Sequence, residues 1–124
     1  MILSERLELR ELTTADAPFI LELLNDGDFH RWIGDRGVRT RDDAENYIQQ
    51  GPAVSYARHG HGLYLVARRS DGARLGICGL IKRDTLPCED IGYAFLPAWR
   101  GQGYALEAAR AALEAMLRAA DFDP

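Results

Sequence analysis

The segment formed by residues 91–105 constrains the fold more than any other part of the chain. Residues 91–96 have the composition of a strand, and a helical pattern begins after Gly103. Gly101 and Gly103 lie where the chain must turn from the strand into the helix. Glycine lets main-chain amides turn inward without a Cβ in the way, so this segment predicts a helix start that binds an anion against bare backbone.

Length and composition limit the classes of function. The 124 residues suit one domain, residues 1–124, and 47% hydrophobic with 27% charged residues is the balance of a soluble globular protein. The net charge of -4 supplies no basic field for a nucleic acid. No apolar run approaches the ~20 residues of a membrane-spanning helix, and the first residues lack a signal-peptide pattern. We therefore expect a cytoplasmic protein without a nucleic-acid or membrane partner.

The first half of the chain predicts one strand followed by two helices. Alternation over residues 3–12 is typical of a half-buried strand. Apolar residues at helical spacing follow over 16–24, and a second helix is predicted over 40–50, where a Gly-Pro pair ends it. The stretch 28–39 mixes aromatic residues with glycines and charges, which favours an ordered loop.

The second half of the chain predicts an antiparallel sheet. Strands over 63–67 and 75–81 flank a short turn that contains an Asp-Gly pair, and a further strand is predicted over 89–96. Residues 75–81 are apolar on both parities, so we place this strand centrally, covered on both faces. The fold class predicted from these patterns is α+β, with a mainly antiparallel central sheet flanked by helices.

The last helix has the clearest periodicity. Leu106, Leu113 and Leu117 recur at helical spacing, while Glu107 and Arg110 lie on the opposite face of the helical pattern. We expect the leucines to face the sheet and the charged residues to face solvent.

The glycine spacing has no single interpretation by itself. Glycine-rich turns between a strand and a helix also occur for purely structural reasons. The segment is not a Walker loop because no Gly-Lys-Ser/Thr follows, and it is not the dinucleotide fingerprint because the spacing after Gly103 fails. Arg100 adds a full positive charge beside the glycines. An anion-binding turn and a structural turn both remain open at this level.

A family resemblance narrows this choice. Residues 100–105, Arg-Gly-Gln-Gly-Tyr-Ala, resemble the Arg/Gln-x-x-Gly-x-Gly/Ala motif of the GNAT N-acetyltransferase superfamily. Residues 90–93 before the motif, residues 107–108 after it and the opening segment 4–13, with the Asp-Ala pair at 16–17, are similar to the branch that acetylates ribosomal-protein amino termini. The likeness covers essentially the whole chain.

The resemblance implies an acetyl-CoA-dependent N-acetyltransferase in which a primary amine attacks the thioester directly. Coenzyme A would lie along the strand 91–96, with its pantetheine paired to the strand backbone and its pyrophosphate held at 101–105. The implied cofactor-binding residues are Phe95, Leu96, Arg100, Gly101, Gln102, Gly103, Tyr104 and Ala105.

Direct attack requires a group that deprotonates the amine. Glu89 and Asp90, at the head of the cofactor strand, are the candidate catalytic bases, although each also fits a solvated turn. Their alternating parity lets only one of them face the cleft. The candidate acceptor-binding residues are Phe29, His30, Trp32 and Tyr93. For Tyr93 we favour packing beneath a helix, which is the commoner situation of a strand tyrosine.

No metal site is predicted. His59 and His61 flank Gly60 on a predicted turn, and the sequence offers no further ligands at zinc spacing, so we interpret both as surface residues. Cys78 and Cys88 lack the Cys-x-x-Cys spacing, which favours two free thiols.

Members of the superfamily continue past the long helix with further strands, whereas this sequence stops at Pro124. We therefore expect the fold to lack the carboxy-terminal strands and the catalytic site to be incomplete. A fragment, a shortened chain, and a chain completed by a partner remain open. The last of these would be a homodimer or strand-swapped oligomer formed through the exposed edge of the strand 89–96.

Two classes of function remain open at the level of sequence. The first is acetyl transfer to a primary amine, with a peptide amino terminus as the first choice of acceptor and amino acids, polyamines and aminoglycosides as the others. The second is a non-catalytic module that binds coenzyme A or mediates an interaction. A fold alone does not decide between acceptors.

Overall fold

The computed structural model describes residues 1–27, 37–82 and 89–119, with the backbone alone at 82, 89, 90 and 119. The strands in these ranges are β1 (Ile2–Leu3), β2 (Leu7–Glu11), β3 (Leu63–Arg68), β4 (Arg74–Lys82) and β5 (Glu89–Phe95). The α-helices are α1 (Ala17–Leu24), α2 (Arg41–Gln50), α3 (Pro52–His59) and α4 (Tyr104–Ala119). The strands form one antiparallel sheet in the order of the chain. The predicted α+β class is confirmed.

The prediction of one strand over 3–12 is wrong at its start, because the chain reverses there. The Ser4 N–H donates to the Leu7 carbonyl at 2.9 Å and closes a tight turn, so that β1 folds back onto β2. Leu7 and Leu9 are fully buried, whereas Leu3 is 57% exposed. The alternation that buries one face therefore belongs to β2.

The helix predicted over 40–50 is confirmed as α2. Its N-cap, Thr40, accepts a hydrogen bond from the Asp43 N–H at 3.1 Å, which satisfies one of the amides that a helix start leaves without a partner. Gly51 ends α2 as predicted, but Pro52 opens a further helix, α3, that the pattern did not predict. Proline fits the first helical position because the N–H that it lacks would have no intrahelical acceptor there.

Helices cover both faces of the sheet and give it two cores. The core beneath α1 and α2 consists of Leu12, Ala17, Phe19, Ile20, Leu23, Leu24, Val38, Ala44, Ile48, Leu65 and Ile77. The core beneath α4 consists of Leu7, Leu9, Val66, Leu75, Cys78, Phe95, Tyr104, Ala108 and Ala112. Neighbouring residues of β4, Ile77 and Cys78, enter opposite cores. The prediction that this strand is covered on both faces is confirmed.

The face of α4 that packs on the sheet is not the predicted leucine stripe. Ala108 and Ala112 are buried, whereas Leu106, Leu113 and Leu117 are 66%, 39% and 36% exposed. The small alanine side chains let the helix lie close to the strands beneath it. The larger leucines then lie toward the outer side of the helix, so periodicity identified the helix but not its buried face.

β5 is the last strand of the sheet within the described ranges, and its ladder with β4 determines which backbone groups remain available. The Leu96 N–H donates to the Leu75 carbonyl at 3.0 Å, immediately beyond the pair formed by Phe95 and Gly76. Hydrogen-bonded residues alternate along an antiparallel ladder. Phe95 and Tyr93 therefore direct their N–H and C=O groups toward the other edge of β5.

Candidate functional site

The turn between β5 and α4 borders open space. After a 3-10 turn (Pro97–Trp99) and an extended Arg100, Gly101 and Gly103 adopt φ angles of 75° and 80°, which L side chains rarely adopt. A Cβ added at Gly101 would meet nothing within 4 Å, and one at Gly103 would meet Arg6 Nη2 at 3.4 Å. Gly101 therefore borders an open space beside the turn, here called the cradle, whereas the Cβ side of Gly103 faces the Arg6 guanidinium.

Free amides lie beside this cradle at the start of α4. Glu107 N–H donates to the Gly103 carbonyl at 3.1 Å, and this is the first bond of the helical ladder. The N–H groups of Tyr104, Ala105 and Leu106 therefore have no intrahelical acceptor. The aligned peptide dipoles add about half a positive charge at the same end. The cradle thus fits a diphosphate, which needs several donors and a positive potential.

Arg100 is tied to neighbouring protein groups. Its Nε and Nη2 atoms donate to the Phe95 carbonyl at 3.1 and 2.8 Å, and Nη2 lies 3.4 Å from Asp26 Oδ2. These contacts fasten the glycine turn to the end of β5 and to the segment that follows α1. A direct contact between Arg100 and phosphate stays a prediction.

The side chains of the other predicted loop residues face protein rather than the cradle. Tyr104 is 6% exposed and belongs to the core beneath α4, and Ala105 packs against the same core. The Gln102 amide donates to the Ala98 carbonyl at 3.2 Å. These residues therefore offer a cofactor their backbone amides, and their predicted role in binding it stays a prediction.

The backbone groups at the open edge of β5 belong only in part to Phe95 and Leu96, the two strand residues among the predicted cofactor-binding residues. The Phe95 carbonyl accepts from Arg100, and the Leu96 N–H donates to Leu75. The groups directed to this edge between residues 91 and 95 are the Phe95 N–H and the N–H and C=O of Tyr93 and Ile91. Pairing of a pantetheine chain with this edge stays a prediction.

The predicted catalytic and acceptor residues are only partly visible. Glu89 and Asp90 begin β5, opposite Lys82 and Ile81, but their side chains lie outside what the structure describes, and so do Cys88 and the acceptor-wall residues. Those acceptor-wall residues are Phe29, His30 and Trp32.

Tyr93 does not pack beneath a helix, so that interpretation is wrong. Its side chain is 58% exposed, whereas Phe95, two residues further along the same strand, is 6% exposed and lies in the core beneath α4. The start of α4 covers Phe95 and does not extend over Tyr93. The ring is accessible to a ligand, and its predicted contact with the acceptor stays a prediction.

A half-open cavity of about 280 Å³ lies beside the start of β5, on the face covered by α1 and α2. Ile81, which lines it, pairs with Asp90. The other lining residues are Tyr47, Gly51, Pro52, Val54, Ser55, Arg58, His59, Gly62, Leu63 and Leu80. The cavity is therefore apolar at its strand wall and carries the positive charge of Arg58 at its helix wall.

The histidines and the described cysteine show ordinary structural roles. His59 is exposed at the end of α3, and the His61 Nδ1 lies 3.4 Å from the Leu80 carbonyl. Within residues 1–27, 37–82 and 89–119, no group of three His, Cys, Asp or Glu side chains could hold a metal ion. Cys78 is a buried free thiol, and burial raises its pKa to about 12, which makes it a poor nucleophile.

One contact of the glycine turn was missed by the sequence analysis. Glu107, assigned to the solvent face of the last helix, instead bonds to Arg6 and Ser4 across the sheet end. Arg6 also donates to the Gln102 carbonyl at 3.1 Å. The partners are about a hundred positions apart in the chain, and the only local signal was a charged residue beside each element end.

Comparison with known proteins identifies the family. The sequence matches the acetyltransferase (GNAT) domain over residues 6–123. No curated protein matches it significantly. Among the residues that the structure describes, we find no helix with the length and apolar character needed to cross a membrane.

Solved structures agree with this assignment. A GNAT-family acetyltransferase from Bacillus anthracis is 25% identical, with a TM-score of 0.77 over 97% of this chain and 68% of that one. An acetyltransferase from Agrobacterium tumefaciens is 24% identical, with a TM-score of 0.78 over 98% and 69% of the two chains. RimL, a ribosomal-protein α-N-acetyltransferase solved with coenzyme A, is 18% identical and shares the fold with a TM-score of 0.70 over 92% and 64%. The chain belongs to the GNAT family and is an acetyl-CoA-dependent acetyltransferase.

Proposed function

We propose that this protein transfers the acetyl group of acetyl-CoA to a primary amine, with the α-amino group of a peptide or protein as the preferred acceptor. The observation that carries the proposal is the glycine turn, where Gly101 and Gly103 adopt positive φ angles and Gly101 borders open space beside the free amides of a helix start. This cradle lies at the end of a strand with an available edge. Both parts of a long cofactor, a diphosphate and an amide-containing arm, then have protein partners.

The residues of this chain bind and orient the cofactor. The backbone at Gly101, Gly103 and the start of α4 holds the diphosphate, and Tyr93 and Phe95 hold the arm through their edge-facing backbone groups. Bound acetyl-CoA supplies the thioester that the amine attacks. Holding both reactants in one orientation removes much of the entropic cost of their encounter.

We propose Glu89 and Asp90 as alternative general bases for the incoming amine. Both lie at the start of β5, and Asp90 pairs with Ile81, which lines the cavity. A carboxylate at this position takes the ammonium proton directly or through one water, and this leaves the amine free to attack.

The cavity next to this end of β5 supports a peptide-like acceptor over a polycation. Arg58 and His59 line it, and among the residues whose side chains the structure describes no acidic one does so. The positive charge of Arg58 repels a polyamine or an aminoglycoside, whereas it tolerates an amine that carries carboxylates or neutral amides. The similarity of the opening segment 4–13 to ribosomal-protein acetyltransferases points to the same class of acceptor.

A thiol-release assay over a panel of amines tests the proposal. We expect acetyl-CoA turnover with short peptides that carry a free amino terminus, weaker turnover with spermidine or an aminoglycoside, and none with the same peptides blocked at the amino terminus. Of Glu89→Gln and Asp90→Asn, the variant that removes the base should lose turnover while retaining coenzyme A affinity. Coenzyme A binding without turnover on any amine would contradict the transferase and favour a binding module.

A further inference from the structure

Arg6 contacts three successive residues of the glycine turn from behind. Its Nη1 donates to the Gln102 carbonyl at 3.1 Å, its Nη2 lies 3.4 Å from the Cβ position of Gly103, and its guanidinium carbon lies 4.4 Å from the centre of the Tyr104 ring. Arg6 immediately precedes β2, and the turn it contacts is almost a hundred positions away in sequence. A residue at the start of β2 therefore contacts the glycine turn directly and can influence its conformation.

Glu107 fixes the position of the Arg6 guanidinium. Its Oε1 accepts from Arg6 Nε at 2.6 Å, and its Oε2 accepts from the Arg6 N–H at 2.8 Å and from the Ser4 hydroxyl at 2.5 Å. Burial opposes ionisation of this carboxylate, but the hydrogen bonds from Ser4 and Arg6 outweigh it and hold the pKa of Glu107 below its ordinary value. The carboxylate is thus charged at neutral pH and holds both the backbone and the side chain of Arg6.

The contact between Arg6 and Gln102 determines where the next amide points. The carbonyl of Gln102 and the N–H of Gly103 belong to one planar trans peptide, so they point in opposite directions. Because the carbonyl is directed at Arg6, the Gly103 N–H is directed away from it, toward the side of the turn that Arg6 does not occupy. Glycine alone would allow this peptide to flip, since it tolerates several backbone conformations.

We propose that Arg6, held by Glu107, is a positioning residue that orients the Gln102–Gly103 peptide so that the Gly103 N–H binds the diphosphate of the cofactor. This inference rests on the proposed cofactor site. Arg6 acts through the peptide: its Nε and Nη1 atoms donate to Glu107 and Gln102 on the protein side. Charge at position 6 without the forked geometry of arginine should therefore not be enough.

The test compares Arg6→Gln and Arg6→Lys with Arg69→Gln in calorimetric titrations with coenzyme A. Arg69 is a matched control. It donates to the carbonyl of Ser4 at 2.7 Å, in the turn between β1 and β2 that also contains Arg6, but the structure shows no contact from it to the glycine turn. We expect both Arg6 variants to bind about tenfold more weakly, which corresponds to one lost hydrogen bond to a charged group. Arg69→Gln should bind within about twofold of the wild type, the change expected when no cofactor contact is altered.

A spectroscopic readout separates positioning from a general loss of structure. In nitrogen-15 NMR spectra we expect the Gly103 amide resonance of the wild type to shift on addition of coenzyme A, and this shift to be greatly reduced in both Arg6 variants while the resonances of β3 and β4 keep their positions. Wild-type affinity in Arg6→Gln, or its restoration in Arg6→Lys, would overturn the inference. Absence of coenzyme A binding by the wild type would overturn the proposed function, and this inference with it.

Discussion

Two arginine–carboxylate pairs at β2 join the sheet to helix starts on its opposite faces, and they differ in surroundings. Arg10 donates to both oxygens of Asp16 at 3.0 and 2.9 Å, and Asp16, which precedes α1, is 1% exposed. Arg6 pairs with Glu107 in the first turn of α4 at 2.6 Å, where the glutamate side chain is 18% exposed. The same chemistry thus anchors a core in one place and borders a ligand site in the other.

The two carboxylates differ in the segments of the fold that they connect. Asp16 also accepts from the Thr13 N–H at 3.0 Å and lies 3.5 Å from Arg74 Nε, so it connects β2, β4 and the start of α1 in a buried position. Glu107 connects β2 with a turn that borders solvent. We therefore expect the first pair to contribute mainly to stability and the second mainly to cofactor affinity.

The largest effect on stability is expected for Asp16→Asn. The variant removes a buried, charged acceptor of hydrogen bonds from Arg10 and Thr13, which costs about 2 kcal/mol in the free energy of unfolding. Urea denaturation at neutral pH measures this loss, and coenzyme A affinity of the folded fraction should not change. Asp71→Asn is the matched control, because Asp71 forms the same two-bond contact with Arg68 but is exposed.

The pH dependence of the wild type sharpens the same comparison. Burial opposes ionisation of Asp16, but hydrogen bonds from Arg10 and Thr13 outweigh it and hold its pKa below 3.8. A pKa that folding lowers adds stability that is complete above 3.8 and is lost as the pH falls through the folded value. The stability gap between wild type and Asp16→Asn should therefore close in acid. An Asp16→Asn variant as stable as Asp71→Asn at neutral pH would refute the structural role.

A smaller effect on stability is expected for Glu107→Gln. The amide keeps a hydrogen bond to Arg6 but loses the charge that holds the guanidinium, and this partly exposed pair contributes less than the buried one. Thermal unfolding should show a smaller shift than for Asp16→Asn, while titration with coenzyme A should show a clear loss of affinity. Unchanged affinity, or a stability loss as large as that of Asp16→Asn, would remove the distinction between the two pairs.

Local patterns predicted most of the fold, because the elements depend on local periodicity and caps. The antiparallel strands, the cap at Thr40 and the helix after Gly103 all follow from neighbouring residues. The reversal at Ser4 was missed because it depends on a hydrogen bond that closes a turn. The helix opened by Pro52 was missed because the Gly-Pro pair was interpreted only as a helix end. In α4 the period was correct and the buried face was wrong, because packing distance selected alanine over leucine.

The backbone of the candidate site was predictable from the sequence, whereas the side-chain contacts that hold the glycine turn were not. Glycines before a helix start specify free amides, and the φ angles of Gly101 and Gly103 agree with that expectation. The ties of Arg6 to Glu107 and of Arg100 to Asp26 join segments distant in sequence, and nothing in their local composition predicts them. The exposure of Tyr93 likewise depends on how much of β5 the start of α4 covers, and sequence periodicity does not specify this.

The central claim is that the glycine turn holds the diphosphate of acetyl-CoA, and calorimetric titration of Gly103→Glu with coenzyme A tests it most directly. Gly103→Gln has nearly the same volume without the charge, and Gly60→Glu places the same residue at a matched φ of 75° in open space at the end of α3. We predict no detectable binding for Gly103→Glu, weakened binding for Gly103→Gln and wild-type binding for Gly60→Glu. Wild-type affinity in Gly103→Glu would contradict the account.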